Sequence, residues 1–328
     1  MSPRLPLRAL SSAIVFFLLT ALLAGCSIKR IALNKVAGAL SAEGGTVWTG
    51  DDDPILVGDA LPFALKMYES ILEGVPENQD LLIATGKSFC MYAFAFVQSP
   101  ADTMSDERIV EKNAQHQRAK KLYLRARGYL FRAWELRHPG FVKLLEEHKT
   151  DSALAMADTA YTTLLYWTGA AWMGAFTADK FDMTLAVNMK KPVAFMHRLL
   201  ELNESYGEGA AHDFFISYYG SLPASMGGSE EKSREHFKRA LELSKGTKAG
   251  PYVSLATSVC VGKQDVDEFR ELLGKALAVD LEASDANRLA NVLSQTKAQW
   301  LLDNIENFFL LDNGSSEDVE ETEELEEE

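Results

Sequence analysis

His212 and Asp213 are the neighbouring side chains of this sequence whose types suit acid–base chemistry, and Phe214, Tyr218 and Tyr219 follow closely. A histidine beside a carboxylate and aromatic rings could act as a general base in a hydrolase or could bind a ligand. A role in helix packing or capping is the alternative for His212. No histidine lies in an HExxH motif or a Cys–His metal-binding spacing, and the sequence contains no G-x-S-x-G, Walker or G-x-G-x-x-G motif. The sequence therefore predicts no catalytic residue, no metal site and no cofactor.

An aromatic stretch over residues 161–176 is the second candidate for ligand or partner binding. Aromatic residues at helical spacing usually belong to a hydrophobic core, but Trp and Tyr also line clefts that hold apolar ligands or partner helices. We therefore predict a candidate ligand or partner surface made of Tyr166, Trp167, Trp172, His212, Phe214, Tyr218 and Tyr219.

Basic residues are concentrated between residues 118 and 137. A run of charges of this kind usually forms a solvated helix face. The alternative is a docking face for an acidic partner. The residues are Arg118, Lys120, Lys121, Arg125, Arg127, Arg132 and Arg137.

The first 25 residues predict a signal peptide. Arg4 and Arg8 precede an apolar run from residue 9 to residue 24, which ends in small residues. Because a helix rises about 1.5 Å per residue, the run is short for a hydrocarbon core of about 30 Å. A retained membrane helix is therefore the weaker interpretation.

Cys26 is the predicted site of covalent modification. Leu23-Ala24-Gly25-Cys26 resembles the lipobox of bacterial lipoproteins. The resemblance implies lipid attachment to the Cys26 sulfur, cleavage before Cys26, and acylation of the new amino terminus with a fatty acid such as palmitate. Several acyl chains on one residue anchor a protein stably. Ser27 replaces the Asp that inner-membrane lipoproteins often carry, which favours a periplasmic protein anchored to the outer membrane. Residues 26–50 are the predicted lipid-anchor linker.

Composition and charge exclude some classes of function. The chain has 328 residues, of which 47% are hydrophobic, and a net charge of −14 from 47 acidic and 33 basic residues. This is enough apolar material for one large core or a repeat array, but the basic surplus that would neutralise nucleic-acid phosphates is lacking. Nine acids and no base occupy residues 315–328. We predict that residues 312–328 form a disordered acidic tail, which is either solubilising or a docking segment.

The rest of the chain predicts an all-α fold in one domain, residues 51–311. Apolar residues after residue 54 recur at spacings of three and four, with almost no period-two alternation. Residues 51–54, Asp-Asp-Asp-Pro, have helix-starting chemistry and lack the Gly and Glu of a calcium-binding loop. Pro139 and Gly140 should end the longest helix. The predicted helices span 59–73, 78–98, 106–137, 152–176, 191–202, 210–221, 229–245, 251–261, 265–279 and 284–310.

Small and aromatic residues recur at fixed offsets along these helices. In helix-pair repeats, small residues let two helices approach closely, and aromatic residues fill the space between them. Gly86 and Gly169 are two such close-approach positions. The matching sets are Ala64-Tyr68-Ile71-Pro76, Leu82-Gly86-Phe89, Ala119-Tyr123-Ala126, Leu165-Gly169-Trp172, Ser233-Phe237-Ala240 and Tyr252-Ala256-Val259. Their irregular spacing predicts a tetratricopeptide-like αα superhelix, or solenoid, with long insertions.

Cys90 and Cys260 are predicted to be buried thiols. The compartment permits disulfides, but the two residues are far apart in the chain, and each repeat of a solenoid contacts mainly its neighbours. A bridge would need the superhelix to bring distant repeats together.

The ordered sequence from residue 26 to about residue 311 resembles the T component of TRAP-type transporters, the TatT-like periplasmic lipoproteins. The resemblance implies a tetratricopeptide-like superhelix, assembly as a trimer and association with the periplasmic solute-binding (P) subunit. It also implies a ligand path for hydrophobic molecules. The acidic tail lies outside it. The stretches that carry it are residues 51–54, 61–66, 118–127, 138–141, 165–167, 209–212, 236–240, 249–253 and 288–291.

We therefore predict a non-enzymatic, membrane-anchored lipoprotein adaptor that docks the P subunit and helps to move a small ligand. The first alternative is an envelope scaffold built on helical repeats without ligand transport. The second is a hydrolase that uses His212 and Asp213.

Overall fold

The computed structural model describes residues 29–41 and 46–310, and every regular element in these residues is helical. This confirms the prediction of an all-α fold. The predicted signal peptide, the lipidation site Cys26 and the acidic tail lie outside the described residues. The tetratricopeptide assignment stays a prediction.

Sixteen α-helices follow one another in the described residues. They are α1 (29–41), α2 (Pro54–Gly74), α3 (Gln79–Ala93), α4 (Ser99–Asp102), α5 (Ile109–Arg137), α6 (Phe141–Glu146), α7 (Thr150–Leu154), α8 (Thr162–Ala178), α9 (Met183–Ala186), α10 (Lys190–Asn203), α11 (Ala210–Ser221), α12 (Glu230–Ser244), α13 (Gly250–Leu255), α14 (Val261–Lys263), α15 (Val266–Leu277) and α16 (Arg288–Asp303). Five-residue π-helical segments join α3 to α4 and α13 to α14.

Capping side chains explain where several helices begin and end. Asp53 accepts hydrogen bonds from the backbone amides of Ile55 and Leu56, so it caps α2 as its sequence context predicts. The longest helix, α5, ends at Arg137, and Gly140 has a φ of +90°, which favours glycine.

One predicted helix is divided, and one predicted linker contains a helix. The stretch 152–176 forms α7 and α8, because Asp158 caps a short 3₁₀ turn that begins a new helix axis. Residues 29–41 form α1 inside the segment predicted as a linker, and Ala37 is fully buried in the core. Part of that segment is therefore a packed helix.

Helices that are close in sequence pack against each other. In the first part of the molecule α3 packs against α2 and α5, α5 against α8, and α8 against α10. In the second part α11 packs against α12 and α13, α13 against α15, and α15 against α16. The last helix also reaches the start of this array, since the amide of Leu289 donates to the carbonyl of Thr49 over 2.8 Å. The two ends of the helical array are therefore in contact.

Gly86 and Gly169 lie where paired helices approach closely. A Cβ atom at Gly86 would stand 2.5 Å from Leu130 Cγ of α5, and one at Gly169 would stand 2.9 Å from Met196 Cε of α10. Both distances are shorter than an ordinary carbon–carbon contact. At Gly86 the backbone of α5 is also close, with the carbonyl oxygen of Ala126 at 3.0 Å, whereas at Gly169 the nearest atom is the flexible end of Met196. This agrees with the predicted role of both residues.

Trp134 is the centre of the larger hydrophobic core. It is fully buried, and its indole ring stacks on Phe141 at 4.2 Å and on Tyr161 at 5.2 Å between ring centroids. Its Nε1 donates to Thr168 Oγ1 over 3.1 Å, so the polar atom of this buried ring is satisfied. The rings join α5, α6 and α8 into one rigid unit that positions the aromatic residues of α8.

The two remaining described cysteines are free thiols. Cys90 and Cys260 are both buried and are not bridged, as predicted. Burial raises the pKa of each thiol to about 12. Such thiols are poor nucleophiles because the reactive species is the thiolate.

One helical stretch in the described residues is long and apolar enough to cross a membrane, Gln79–Asp102. Half of its most apolar window is buried inside the protein, and its first part packs against α2, α5 and α8. These contacts make it a helix of the protein core.

Candidate functional site

Tyr166 and Trp167 of α8 form an aromatic cluster with Tyr206. Tyr166 lies edge-on to Trp167 at 5.1 Å and contacts Tyr206 at 5.5 Å between ring centroids. Lys87 of α3 places its Nζ 5.7 Å from the Trp167 ring centroid, within the range of a cation–π interaction. All three rings are half-buried, so they are packed on one side and accessible on the other. We call Tyr166, Trp167 and Tyr206, with Asp213, the Tyr166 site.

Asp213 supplies the charge of the Tyr166 site. Its Oδ2 accepts a hydrogen bond from Lys248 Nζ over 2.9 Å, and Lys248 also donates to the carbonyl of Gly207. Burial raises the pKa of Asp213, and Lys248 opposes that rise. Burial also raises the pKa of the Tyr166 hydroxyl, with a further contribution from the nearby Asp213 charge. The carboxylate of α11 therefore lies close to the aromatic rings of α8.

Two buried polar atoms of the Tyr166 site have no hydrogen-bond partner among the described residues. They are Asp213 Oδ1, an acceptor, and Trp167 Nε1, a donor. Buried polar atoms are nearly always paired in folded proteins, and each exception needs a cause. Water or a bound ligand could satisfy both atoms. The site therefore contains one unpaired acceptor and one unpaired donor, and both atoms are closed to solvent.

The aromatic residues of α11 form a second cluster around Phe215. Phe214 and Tyr218 stack at 6.0 Å, and Tyr219 stacks on Phe215 at 5.6 Å between ring centroids. Phe215 is fully buried, whereas Phe214, Tyr218 and Tyr219 are half-buried. The structure thus places these three predicted residues on one helix, next to the carboxylate of Asp213 in sequence.

His212 belongs to a polar network that ties α11 to α12. Its Nδ1 lies 2.8 Å from His236 Nδ1, and its Nε2 lies 3.2 Å from Glu204 Oε1. Glu204 also accepts hydrogen bonds from Nε and Nη2 of Arg239, at 2.8 and 2.7 Å. The Arg239 guanidinium lowers the pKa of Glu204 to about 2, and burial with the adjacent His212 lowers the pKa of His236 to about 4.

This network does not form the nucleophile–histidine–carboxylate arrangement of a serine or cysteine hydrolase. Both ring nitrogens of His212 are occupied by His236 and Glu204, and Asp213 binds Lys248 instead of orienting the imidazole. A nucleophilic site needs a hydroxyl or thiol within hydrogen-bond reach of the base. None of these partners of His212 provides one. These contacts favour the packing role that is the alternative from the sequence for His212.

Trp172 contacts a different set of residues from the other members of the predicted surface. Its ring contacts Phe131 of α5 edge-on at 5.7 Å and Phe195 of α10 at 6.5 Å between ring centroids. Arg127 and Lys191 are its charged neighbours. The structure therefore divides the predicted surface into the Tyr166 site, the α11 cluster and the surroundings of Trp172.

Several residues of the site could not be predicted from the sequence. Lys87, Tyr206 and Lys248 come from three separate segments, and no short spacing relates them to Tyr166. The sequence suggests Asp213 only as a partner for His212. Adjacent residues on a helix point about 100° apart, which is why the two side chains face different neighbours.

Most of the predicted basic run is used within the molecule. Lys120 pairs with Asp179 and Asp182, and Arg125 pairs with Glu69. Arg118, Arg132 and Arg137 each donate hydrogen bonds to neighbouring residues. These cations mainly fasten α5 to adjacent helices.

In the part of the chain that the structure describes, no three His, Cys, Asp or Glu side chains come close enough together to hold a metal ion.

Comparison with known proteins identifies two similarities. The model of the TRAP transporter T-component family matches residues 50–309, more than half of the chain. A protein of Treponema pallidum (strain Nichols), described as an uncharacterized protein, is 31% identical over 305 residues, which cover 88% of this chain and 94% of the Treponema protein. The family match spans α2 to α16 and contains every residue of the Tyr166 site.

Proposed function

Because the chain belongs to the TRAP transporter T-component family, we propose that it docks the solute-binding P subunit of a TRAP system and guides a small ligand past the Tyr166 site. A role in a TRAP transport system follows from the family, which is a transporter component and not an enzyme family. Docking and ligand guidance are the proposed means of that role.

The single observation that carries this proposal is the family match over residues 50–309. The Tyr166 site supports the ligand part of it. Aromatic rings with a few placed polar atoms are typical of small-molecule sites. Trp167 Nε1 and Asp213 Oδ1 offer one donor and one acceptor, and both are unused by described residues. A mostly apolar ligand with one acceptor group and one donor group would match them.

We propose that α2 provides the docking face. Leu56 and Phe63 are seven residues apart, so they lie on one side of the helix, and they are 59% and 75% exposed. Large apolar side chains exposed together on a helix are typical of protein interaction surfaces. Assembly as a trimer is a competing use of the same face.

The proposed location is the periplasm, with the chain anchored to the outer membrane through lipid on Cys26. The Leu-Ala-Gly-Cys motif at residues 23–26 supports the anchor. Lipidation would keep the docking face at the membrane, where a soluble P subunit can reach it. Intact-mass measurement of the membrane-purified protein and of a Cys26→Ser variant tests this point, since only the first should carry lipid.

The main experiment measures binding of the P subunit encoded in the same genome to the full-length protein. We expect saturable binding that Phe63→Ser weakens at least tenfold. The matched control is Phe181→Ser, because Phe181 is 94% exposed and lies outside α2. Absence of binding to wild type would refute the adaptor and favour the envelope scaffold. Unchanged P-subunit binding but a smaller oligomer for Phe63→Ser would assign the face of α2 to self-assembly.

A second measurement addresses the ligand. Ligands that co-purify with the wild-type protein would be extracted and identified by mass spectrometry, and compared with those from Trp167→Phe and Asp213→Asn variants. Asp213→Asn keeps the shape of the site and removes its charge, whereas Trp167→Phe removes the indole N–H together with part of the ring surface. We expect reduced ligand recovery from both, with P-subunit binding unchanged. Equal recovery from all three proteins would exclude the Tyr166 site as the ligand contact.

A further inference from the structure

The start of α1 is fixed to the turn between α2 and α3, residues 75–78. Arg30 Nη2 lies 3.3 Å from Glu77 Oε2, and Asn78 Nδ2 donates a hydrogen bond to Asn34 Oδ1 over 2.9 Å. Ala37, one helical turn further along α1, is fully buried. The first residues of α1 therefore lie against the α2–α3 turn.

The last turn of α5 lies at the same end of the molecule. Gln79, at the start of α3, accepts a hydrogen bond from Arg137 Nε over 2.7 Å and donates one to the carbonyl of Ala133 over 3.1 Å. Arg132 Nη2 donates to the carbonyl of Pro76 over 3.0 Å. The α2–α3 turn thus contacts both the start of α1 and the end of α5. We call these three parts together the turn end.

The predicted lipid anchor lies close to the turn end. Two residues, Ser27 and Ile28, separate Cys26 from Lys29 at the start of α1. A chain spans at most about 3.6 Å per residue, so Lys29 lies within about 11 Å of Cys26 in any conformation. Acyl chains on Cys26 would be inserted in the bilayer. So short a tether would hold the turn end at the membrane surface.

An open groove lies at the turn end. It has a volume of about 400 Å³ and is lined by Pro76, Phe131, Arg132, Glu135, Leu136 and Val142. Leu136 is 41% exposed, so an apolar side chain of the groove faces outward. Exposed apolar surface of this kind is typical of contacts with a partner or a membrane. The short tether makes the bilayer the nearest apolar partner.

The charged residues of the groove suit a phospholipid. Both carboxylate oxygens of Glu135 accept backbone hydrogen bonds, from the amides of Gly140 and Val142 at 2.8 and 2.6 Å. Arg132 is exposed, and the fork of a guanidinium can bind a phosphate in addition to the carbonyl of Pro76. The groove therefore combines apolar side chains with an exposed cation, which matches an acyl chain joined to a phosphate.

We propose that the turn end contacts the membrane surface, and that the groove accommodates an acyl chain of a bilayer phospholipid with Arg132 facing its phosphate. The proposal rests on the lipid anchor at Cys26, but it needs neither a P subunit nor a ligand at the Tyr166 site. The tether keeps the groove at a high effective concentration of lipid, so a weak contact is sufficient. The start of α5 then points away from the membrane.

The test places a fluorescent probe at either end of α5. Leu136→Cys and Val110→Cys each introduce one thiol, and the two positions are about 39 Å apart on a helix that rises about 1.5 Å per residue. Val110 is 82% exposed. A bimane label should react at the new thiol, because Cys90 and Cys260 are buried and burial raises the pKa of each to about 12.

Each labelled full-length protein, with the lipid on Cys26 checked by intact mass, is reconstituted in vesicles of phosphatidylethanolamine and phosphatidylglycerol with brominated acyl chains. We expect the bromolipid to quench the probe at residue 136 at least twofold and to leave the probe at residue 110 unchanged. Iodide in the buffer should show the reverse preference. Absence of bromolipid quenching at residue 136 in the lipidated protein, or equal quenching at both positions, would overturn the proposal. A protein without lipid on Cys26 would refute the anchor itself, and the proposal with it.

A longer tether separates the groove from the anchor. Ten Gly and Ser residues inserted between Ile28 and Lys29 form a flexible linker, so the turn end then stays on the bilayer only through its own contacts. We expect bromolipid quenching at residue 136 to fall less than twofold, and complete loss would overturn the groove as a lipid site.

Arg132→Gln in the long-tether protein tests the phosphate contact. This variant should lower the quenching at residue 136 at least twofold, and Arg132→Lys should retain it because it keeps the charge. Lys121→Gln, at an exposed position of α5 distant from the groove, is the matched control and should leave the quenching unchanged. Equal quenching for Arg132→Gln and the unsubstituted long-tether protein would refute the contact between Arg132 and the phosphate.

Discussion

The two arginine-rich helices of this protein, α5 and α12, place their cations against different partners. The five arginines of α5 lie on aromatic rings, and Arg127 is the one among them without a hydrogen bond or ion pair to a described residue. Both arginines of α12 instead face carboxylates. Arg234 binds the two oxygens of Glu268, and Arg239 binds those of Glu204.

The difference distinguishes arginines whose donors are used to hold the fold together from an arginine whose donors remain free of described residues. A bidentate carboxylate pair uses the donors of a guanidinium, whereas an aromatic face leaves most of them free. These pairs connect α12 to α15 through Glu268 and to the end of α10 through Glu204, so their loss should weaken the protein. The guanidinium donors of the ring-bound Arg127 are not used by the described residues. Four predictions test this contrast, from the largest expected effect to the smallest.

Gly86→Leu should have the largest effect, because it separates α3 from the arginine-rich α5. The new side chain would collide with Leu130 and with the carbonyl oxygen of Ala126, which would stand only 3.0 Å from a Cβ atom at residue 86. Overpacking of this kind costs about 3 kcal/mol of unfolding free energy. Gly128→Leu is the control, since a Cβ at Gly128 meets nothing within 4 Å. Urea unfolding should show a large loss for the first variant and none for the second. Equal midpoints would contradict the close α3–α5 contact.

Arg234→Met should remove about 1.5 kcal/mol of unfolding free energy, because it leaves the partly buried Glu268 without its bidentate partner. This value allows for the exposure of both side chains, 36% and 26%, since solvent screens the pair. Arg270→Met, an exposed arginine on α15, is the control. The difference between the two variants should shrink in about 1 M salt. A loss as large for Arg270→Met would assign the effect to net charge.

Stability should decrease on acidification through His236. Its pKa is about 4 in the folded protein and about 6.5 when unfolded. The unfolded chain therefore binds a proton first, so stability is complete above about pH 6.5 and is lost as the pH falls toward 4. Burial, His212, His197 and Lys232 all favour neutral His236.

The expected loss between pH 7 and pH 5 is about 1 kcal/mol, after allowance for the partial exposure of the imidazole. Glu204, with a pKa of about 2, stays ionised in the folded protein over this range. His236→Asn keeps a donor near His212 and removes the titration, so its stability should change less with pH. Urea midpoints across pH 5–7.5 check this, and parallel curves for the two proteins would exclude His236 as the source.

Arg127→Gln should change the unfolding free energy by less than about 0.5 kcal/mol, since Arg127 has no carboxylate partner among the described residues. Arg125→Gln, two residues earlier on α5, should cost about 1 kcal/mol because it leaves the buried Glu69 with one positive partner fewer. The pair compares a free and a used arginine on one helix. A larger loss for Arg127→Gln would remove the contrast between α5 and α12.

Much of the local structure could be predicted from residue spacing. The three- and four-residue periodicity identified an all-helical chain, Asp53 marked the start of α2, and Pro139-Gly140 marked the end of α5. Gly86 and Gly169 were identified as close-approach positions from their fixed offsets to apolar and aromatic residues, and a Cβ atom at either position would crowd the facing helix. These features depend on residues one or two helical turns apart. Such spacings can be read directly from a single sequence.

The candidate site could be predicted in part. Tyr166 and Trp167 were found because they are adjacent aromatic residues, but their partners Tyr206, Lys87 and Lys248 come from distant segments. Trp172 was grouped with them by sequence proximity, although its ring faces α5 and α10. Contacts between distant helices depend on packing angles, which periodicity does not specify.

The sequence by itself determined the helical fold class, the membership of the T-component family and the positions where helices must touch. Local propensity and the order of residues are sufficient for these, because each is encoded within short windows or along the aligned chain. The tertiary structure decided which charges are paired. Arg127 and Arg234 look alike in the sequence, yet one faces Trp172 and the other faces Glu268. Whether an arginine is satisfied depends on residues brought to it from another helix, and that distance exists only in the folded protein.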